Sequence, residues 1–400
     1  MDRRDLPDRP RRAGRWLALA LPLVLLVAGC ASDAPLDTLD PKGPAARKID
    51  QLVDPVFLVA GVVFLFVQFG CLFLAWKFRR RQGDDELPEQ VHGNFRLEIG
   101  WTILPTVVLA FVGFFTMVTI LDLSDKEASA FEANDLAEGE VIRYVDDPAG
   151  ALEVDVIGNQ WWWEYRYDVD GDGVADIVTA NDLVIPAGYP VNLSITSRDV
   201  IHSFWIPNLN GKKDAVPGRV HELTLEADEP GVFAGQCTEF CGLSHAYMRM
   251  RAVALSPADF DAWVDNQMEP AEDPEEGTLA ATGQELFNAT CSRCHLVSGG
   301  NDDLYPGEAE QVSGAAPNLT HFASRGVFAG AIYELWEDQD GNGVVDVDEI
   351  GGKLNVADLA AWLRDPPAEK PMFAPTRGMP NLDLTPEAIE ALIAYLETLD

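Results

Sequence analysis

Residues 235–248 read GQCTEFCGLSHAYM, with two cysteines four apart, a histidine four further on and a methionine three beyond that. Thiolate, imidazole and thioether are soft or borderline donors, so the stretch selects copper or zinc over hard cations. A mononuclear electron-transfer copper needs only one cysteine. Two offered together allow both thiolates to bridge two coppers, with one imidazole for each metal and weak outer ligands beside them. Cys237, Cys241, His245 and Met248 come from this one loop, and His202, in IHSFWIP between two strand-like runs, offers the second imidazole. Zinc or a reduced cysteine pair is the alternative that the residues leave open. A second cluster, CSRCH at 291–295, is the attachment pattern for a covalent haem, in which Cys291 and Cys294 form thioethers and His295 becomes an iron ligand. A zinc knuckle fits less well there, because no second ligand pair follows at the right spacing.

Two further stretches offer hard oxygen donors. DQDGNGVVDVDE, 338–349, matches an EF-hand calcium loop position by position, with Asp338, Asp340, Asn342, the turn residue Gly343, Asp346 and a terminal Glu349. DVDGDGVADIVT, 168–179, repeats the front half with Asp168, Asp170, Asp172 and Asp176, but ends in Thr179 where a bidentate acid belongs. Calcium is favoured over a merely acidic turn in the first loop, and in the second, without the bidentate acid, both readings stay open; bound calcium would stiffen the loops and take no part in electron flow.

These ligands need scaffolds, and 400 residues with 47% hydrophobic content suffice for two or three domains. With 65 acidic against 29 basic side chains the net charge is -36, which argues against nucleic acid as a partner and suits docking of basic proteins. Residues 1–29 are laid out as a lipoprotein signal peptide, ahead of Cys30 as the lipidated residue and an exported segment to 50. The apolar runs at about 55–76 and 99–121 are each long enough to span a bilayer and make a transmembrane hairpin over 51–125. Lys77, Arg79, Arg80 and Arg81 put the connecting loop in the cytoplasm and both flanking parts outside. The runs LEVDVIG, DLVIPAG, PVNLSITS and VHELTLEA, punctuated by turn residues, predict an all-β sandwich or barrel over 126–268. An acidic, proline-rich linker covers 269–280. GQELFNATC, ADLAAWLRD and PEAIEALIAYLETL then predict a small all-helical domain at 281–400. Glu98, at the cytoplasmic mouth of the second span, is costly enough there to suggest function, the plainer reading being a snorkelling interfacial acid.

QCTEFCGLSHAYM, HSFWIP, DAVPGRVHELTL, the aromatic run GNQWWWEYRY and EIGWTILP together resemble subunit II of the haem-copper cytochrome c oxidases, over roughly residues 50–265. The resemblance implies a cupredoxin-like fold holding a binuclear copper centre, CuA. Cys237 and Cys241 would bridge, with His202 and Met248 on one copper and His245 and the Glu239 carbonyl on the other. It also implies that the Glu239 carboxylate reaches a magnesium ion shared with subunit I, that Glu98 opens a proton path, and that Trp161 is the exposed arrival point for electrons. Trp162 and Trp163 read equally well as packed strand aromatics. The tail resembles the class I cytochrome c domain fused to subunit II in caa3-type oxidases. That likeness favours Met379 in RGMPNLDLT over Met372 in KPMFAP as sixth haem ligand; His321 is the alternative ligand, an exposed helix-capping role being its plainer reading.

The function implied is an electron-input subunit of a proton-pumping oxidase. It would take electrons from cytochrome c or a quinol-oxidising complex, and pass them through haem c and CuA to haem a of subunit I. None of the six histidines lies inside a span, so the oxygen chemistry belongs to a partner. A nitrous oxide reductase would share CuA but lack this hairpin. A membrane-tethered carrier or copper-delivery protein without an oxidase is the other alternative.

Overall fold

The computed structural model describes residues 35–79, 90, 92–124, 152–169, 173–298, 316–341, 344–373 and 377–400. The signal peptide, Cys30, Arg80, Arg81, Asp170, Asp172, Asn342 and Gly343 lie outside the described residues.

Two long helices open the chain, α1 (Pro44–Lys77) and α2 (Phe95–Leu123), and both are apolar enough to cross a membrane. At roughly 1.5 Å per residue α1 is about 50 Å long, well beyond the ~30 Å hydrocarbon core. It therefore starts inside the segment expected to precede the hairpin, with Pro44 at its first position, where the missing N–H costs nothing. Lys48 near the start of α1 pairs with Asp122 near the end of α2 at 2.8 Å, bringing the outer ends of the hairpin together. The first turn of α1 and the residue ahead of its cap are fastened to the β domain: the Lys42 amide donates to the Asn208 carbonyl, the Ala46 amide to that of Leu209, and Arg47 pairs with Asp228. Asn94 caps α2 by accepting from the Arg96 and Leu97 amides.

The middle of the chain is a β sandwich. Strands β1 (Leu152–Asn159), β2 (Trp162–Tyr167), β3 (Ile177–Ala180), β5 (Val191–Ser197) and β8 (His221–Leu225) form one sheet in the order β3-β2-β1-β5-β8. A second sheet holds β4 (Asp182–Pro186), β10 (Arg249–Leu255) and β9 (Gly231–Gln236), in that order. A ribbon of β6 (His202–Phe204) and β7 (Lys213–Ala215) lies beside them. Strand β1 shows why: Leu152, Val154 and Val156 alternate with exposed residues before the strand becomes buried throughout near the ligand cluster. Of the ten strands, four lie on the runs singled out in the sequence. The domain closes with a helix not anticipated, α3 (Pro257–Gln267), which Ser256 caps by accepting from the Asp259 amide.

The acidic linker is less free than its composition suggests. The Ala271 amide donates to the Ser298 carbonyl and Gln284 reaches the Asp273 carboxylate, so it runs along the last domain. That domain has the three expected helices, α4 (Leu279–Thr290), α5 (Val356–Arg364) and α7 (Pro386–Leu396), with a short α6 (Pro366–Glu369) between the last two. It also carries a two-residue ladder, β11 (Val327–Phe328) with β12 (Tyr333–Glu334), which helical periodicity does not register. Helices α4 and α7 cross at Gly283, where a Cβ would stand 2.0 Å from the Ala391 carbonyl oxygen.

One buried acid sets a pH dependence. Burial pushes the Glu226 carboxyl, at the end of β8, up from its ordinary 4.5 to about 7, with Asp228 adding to the rise and Arg47 opposing it. The folded chain therefore holds a proton that the unfolded chain has released across that window, so stability falls as pH rises from about 4.5 to about 7 and levels above it. Glu226→Gln is expected to raise Tm by about 3 °C at pH 8 and to leave it unchanged at pH 5. Equal shifts at both pH values would refute the assignment.

Candidate metal centre and haem site

The loop at 237–248 joins β9 to β10 and is held at both ends: the Cys237 amide donates to the Met248 carbonyl, and the Thr238 amide to that of Ser203. Gly242, at φ +114°, takes the left-handed turn between Cys241 and the short helical turn His245–Tyr247. The loop folds its donors inward beside β6. The Cys237 and Cys241 sulfurs lie 3.8 Å apart. His202 Nδ1 is 4.0 Å from the first, while His245 Nδ1 and the Met248 sulfur are 3.6 and 3.8 Å from the second. The Glu239 carbonyl oxygen is 3.3 Å from Cys237 Sγ, and the Glu239 side chain is exposed. Every expected ligand atom is therefore in one place, and the carbonyl rather than the carboxylate of Glu239 faces the sulfurs.

Electrostatics prepare the cluster for a cation. The thiol of Cys241 hydrogen-bonds that of Cys237 and, with His202 and two backbone groups helping against burial, holds it down to about 4; the Cys241 thiol is pushed up in turn. One thiolate thus forms readily, and a metal is needed to bring out the second. Asp199 accepts from His202 Nε2 at 2.8 Å, which fixes the tautomer and leaves Nδ1 facing Cys237. Burial works against a charged His202, but Asp199 and Cys237 outweigh it and raise its pKa. Four of these side chains, His202, Cys237, Cys241 and Met248, are almost wholly buried, so water is kept out. Buried sulfurs, an imidazole oriented by Asp199 and a second imidazole beside Cys241 fit a soft binuclear metal centre.

Trp161 differs from expectation. It is only 2% exposed, because residues of the last domain cover it. Its indole N–H donates to the Cys241 carbonyl at 3.1 Å, and Gln160 donates to the same oxygen at 2.7 Å. Phe373 stacks obliquely on it, with ring centroids 6.2 Å apart.

In the last domain His295 Nδ1 donates to the Pro317 carbonyl at 2.8 Å, which orients the ring. Met379 packs with the core of this domain, whereas Met372 packs against the β sandwich. His321 is buried, and its two nitrogens face the carbonyls of Asp400 and Glu269, so it ties the linker down and does not cap a helix at the surface.

The two domains meet through a cluster that the sequence did not signal. Arg251 of β10 binds both oxygens of buried Asp182 at 2.9 and 3.2 Å and reaches Glu334 of the last domain at 2.9 Å. Asp182 also accepts from the Gly326 amide at 2.7 Å.

Residues 152–254 match the periplasmic domain of cytochrome c oxidase subunit II, residues 33–118 its transmembrane domain, and residues 280–400 cytochrome c. Cytochrome c oxidase subunit 2 of Alkalihalophilus pseudofirmus is 36% identical over 97% of this chain and 98% of its own length. The chain belongs to the cytochrome c oxidase subunit II family. The Bacillus subtilis subunit 2 is 32% identical over 96% of this chain and 97% of its own. A crystal structure of the subunit II periplasmic domain from Bradyrhizobium japonicum is 29% identical and covers 32% of this chain and 96% of that one, with a TM-score of 0.27.

As a subunit II with a fused cytochrome c domain, the chain is a cytochrome c oxidase subunit, anchored by two spans with its periplasmic domain on the outer face. The subunit II domain implies CuA copper, and the cytochrome c domain implies haem c.

Proposed function

We propose that this chain is the electron-input subunit of a proton-pumping oxidase. It receives electrons at its cytochrome c domain, from a soluble cytochrome or a quinol-oxidising complex, and delivers them through the copper loop to haem a of subunit I, where oxygen becomes water. The reading rests on the convergence of His202, Cys237, Cys241, His245, Met248 and the Glu239 carbonyl on one buried spot, directly under the domain that carries Cys291, Cys294, His295 and Met379. Copper held there would supply a one-electron store of nearly constant geometry, and a Met-ligated haem c a second. Asp199 orients His202, the buried loop excludes water, and Trp161 bridges the loop and the haem domain.

Further side chains extend the reading. The exposed Glu239 carboxylate is available for a magnesium ion shared with subunit I. Glu98 lies exposed in the first turn of α2, accepting only from the Asn94 amide among the described residues, which suits the mouth of a proton path. Asp338, Asp340 and buried Glu349 bring carboxylate oxygens within 4.8 Å of one another, which supports calcium in the 338–349 loop with Asn342 and Asp346. In the 168–179 loop Asp168 and Asp176 bind the Gly173 and Val169 amides, and calcium there draws on Asp170 and Asp172 as well. A lipid on Cys30 would add a second anchor to the two helices.

The test is a count of copper and haem on the purified full-length chain, with its visible and near-infrared spectrum. Two coppers with mixed-valence bands beside one low-spin haem are expected. Haem with at most one copper, and no haem a subunit recovered in a pull-down, would leave a tethered carrier or copper-delivery protein instead.

A further inference from the structure

The most unusual side chain at the domain boundary is Lys370. It is 4% exposed, and its ammonium donates to the Trp161 carbonyl at 2.6 Å in the β sandwich and to the Ala329 carbonyl at 2.8 Å in its own domain. Among the described residues no carboxylate pairs with it. Burial of an ammonium against neutral acceptors alone is costly, and a methionine would fill the same length without that cost. The fold nevertheless keeps a slot for it. At Gly330, φ +78°, a Cβ would stand 2.2 Å from Lys370 Nζ, 2.7 Å from the Trp161 oxygen and 3.0 Å from the Tyr247 oxygen. Beyond Lys370 the chain stays on the copper loop: the Pro371 carbonyl accepts from Ser244, Met372 packs into the sandwich, and Phe373 lies on Trp161.

We propose that Lys370 is a positioning residue for electron transfer between the two domains: its ammonium anchors the haem domain on the Trp161 carbonyl and sets a positive charge beside the thiolate pair. The inference rests on Cys237 and Cys241 being the copper ligands proposed above. Trp161 connects the two, with its carbonyl on Lys370 and its indole on the Cys241 carbonyl. Burial pushes the ammonium down to about 7, and the nearby Cys241 sulfur pulls the other way. A cation there stabilises the reduced copper site. By reciprocity, an electron on the copper loop tightens the hold on the haem domain as much as docking favours the electron. The same contacts close Trp161 to any second donor, so a soluble cytochrome is left with the haem domain as its docking partner.

The test compares Lys370→Met and Lys370→Gln with the parent in the full-length, copper-loaded and haem-loaded chain. Lys370→Met is expected to keep its copper, haem and haem midpoint potential. Its copper midpoint potential should fall, and haem-to-copper transfer after flash reduction should slow about tenfold or more. In the metal-free chain, amide exchange at 242–247 should quicken. Lys370→Gln, which keeps a donor but no charge, should hold the exchange pattern while the copper potential still falls, and it decides the matter if the methionine variant does not fold. An unchanged copper potential and transfer rate in a folded variant would overturn the role of Lys370 alone. A parent chain that does not hold two coppers would overturn the reading of the site, and this inference with it.

Discussion

Replacing Arg251 with methionine is expected to lower Tm of the full chain in detergent by about 10 °C, the largest stability effect of any single change at the domain boundary. The guanidinium has two carboxylate partners that differ in burial. The Asp182 side chain is 3% exposed and the Glu334 side chain 37%. Once the arginine is gone, Glu334 can hydrate or take a proton, since burial already pushes its carboxyl up to about 7 against the pull of Arg251. Asp182 is too buried to hydrate and, among the described residues, keeps the Gly326 amide alone, so the cost is that of a buried group stripped of its charged partner, about 3–5 kcal/mol. The double change Arg251→Met with Asp182→Leu should recover part of the loss, because removing both members of a buried pair is far milder than removing one. Recovery should be incomplete, as the Gly326 amide then loses its acceptor. A single variant melting within a degree or two of the parent would show that the cluster does not hold the domains together.

The largest functional effect is expected from Cys237→Ser. The change keeps the side chain's size but replaces a sulfur whose proton is already loosened by Cys241 with a hydroxyl that stays protonated. Copper's preference for thiolate leaves that position without a ligand, so the chain should bind one copper or none and lose the near-infrared bands altogether. Glu239→Gln is the informative contrast. The oxygen facing Cys237 belongs to the backbone, so this change should leave the copper count intact while removing the exposed carboxylate proposed for magnesium. A glutamine variant that loses copper would mean that the Glu239 side chain, not its carbonyl, serves the site.

The legible parts of the chain were those with local signals. Two charge-free apolar runs correspond to α1 and α2, three helical periodicities to α4, α5 and α7, and the spacing of Cys237, Cys241, His245 and Met248 marks a donor cluster that the fold brings together with His202 from 35 residues upstream. What stayed hidden was set by contacts between distant segments. Arg251 in RMRAVAL reads as an ordinary solvent-facing strand residue, and nothing local marks Asp182 or Glu334 as its partners. Lys370 in AEKPMF reads as a surface lysine. Trp161 was expected at the surface because an aromatic at a strand edge carries no record of a domain that begins more than a hundred residues later. The burial of His321 is hidden for the same reason, as it depends on both the linker and the final residues of the chain. Asp199 did have a faint signal, an acid three residues ahead of a ligand histidine, but that spacing is common without any such role.

The unbroken run of α1 from the β sandwich into the membrane acts as a gauge of both height and bearing. Its first turn and the residue ahead of its cap are fastened to the sandwich through Asn208, Leu209 and Asp228, so the distance from bilayer to copper loop is counted in helical residues. Each residue added between Pro44 and Pro55 would lift the sandwich by about 1.5 Å and swing it by roughly 100°. Electron tunnelling tolerates the first far better than a protein interface tolerates the second. The length of that outer stalk is therefore under tighter constraint than its unremarkable sequence suggests: a single inserted residue would turn the copper loop away from whatever it faces across the membrane surface.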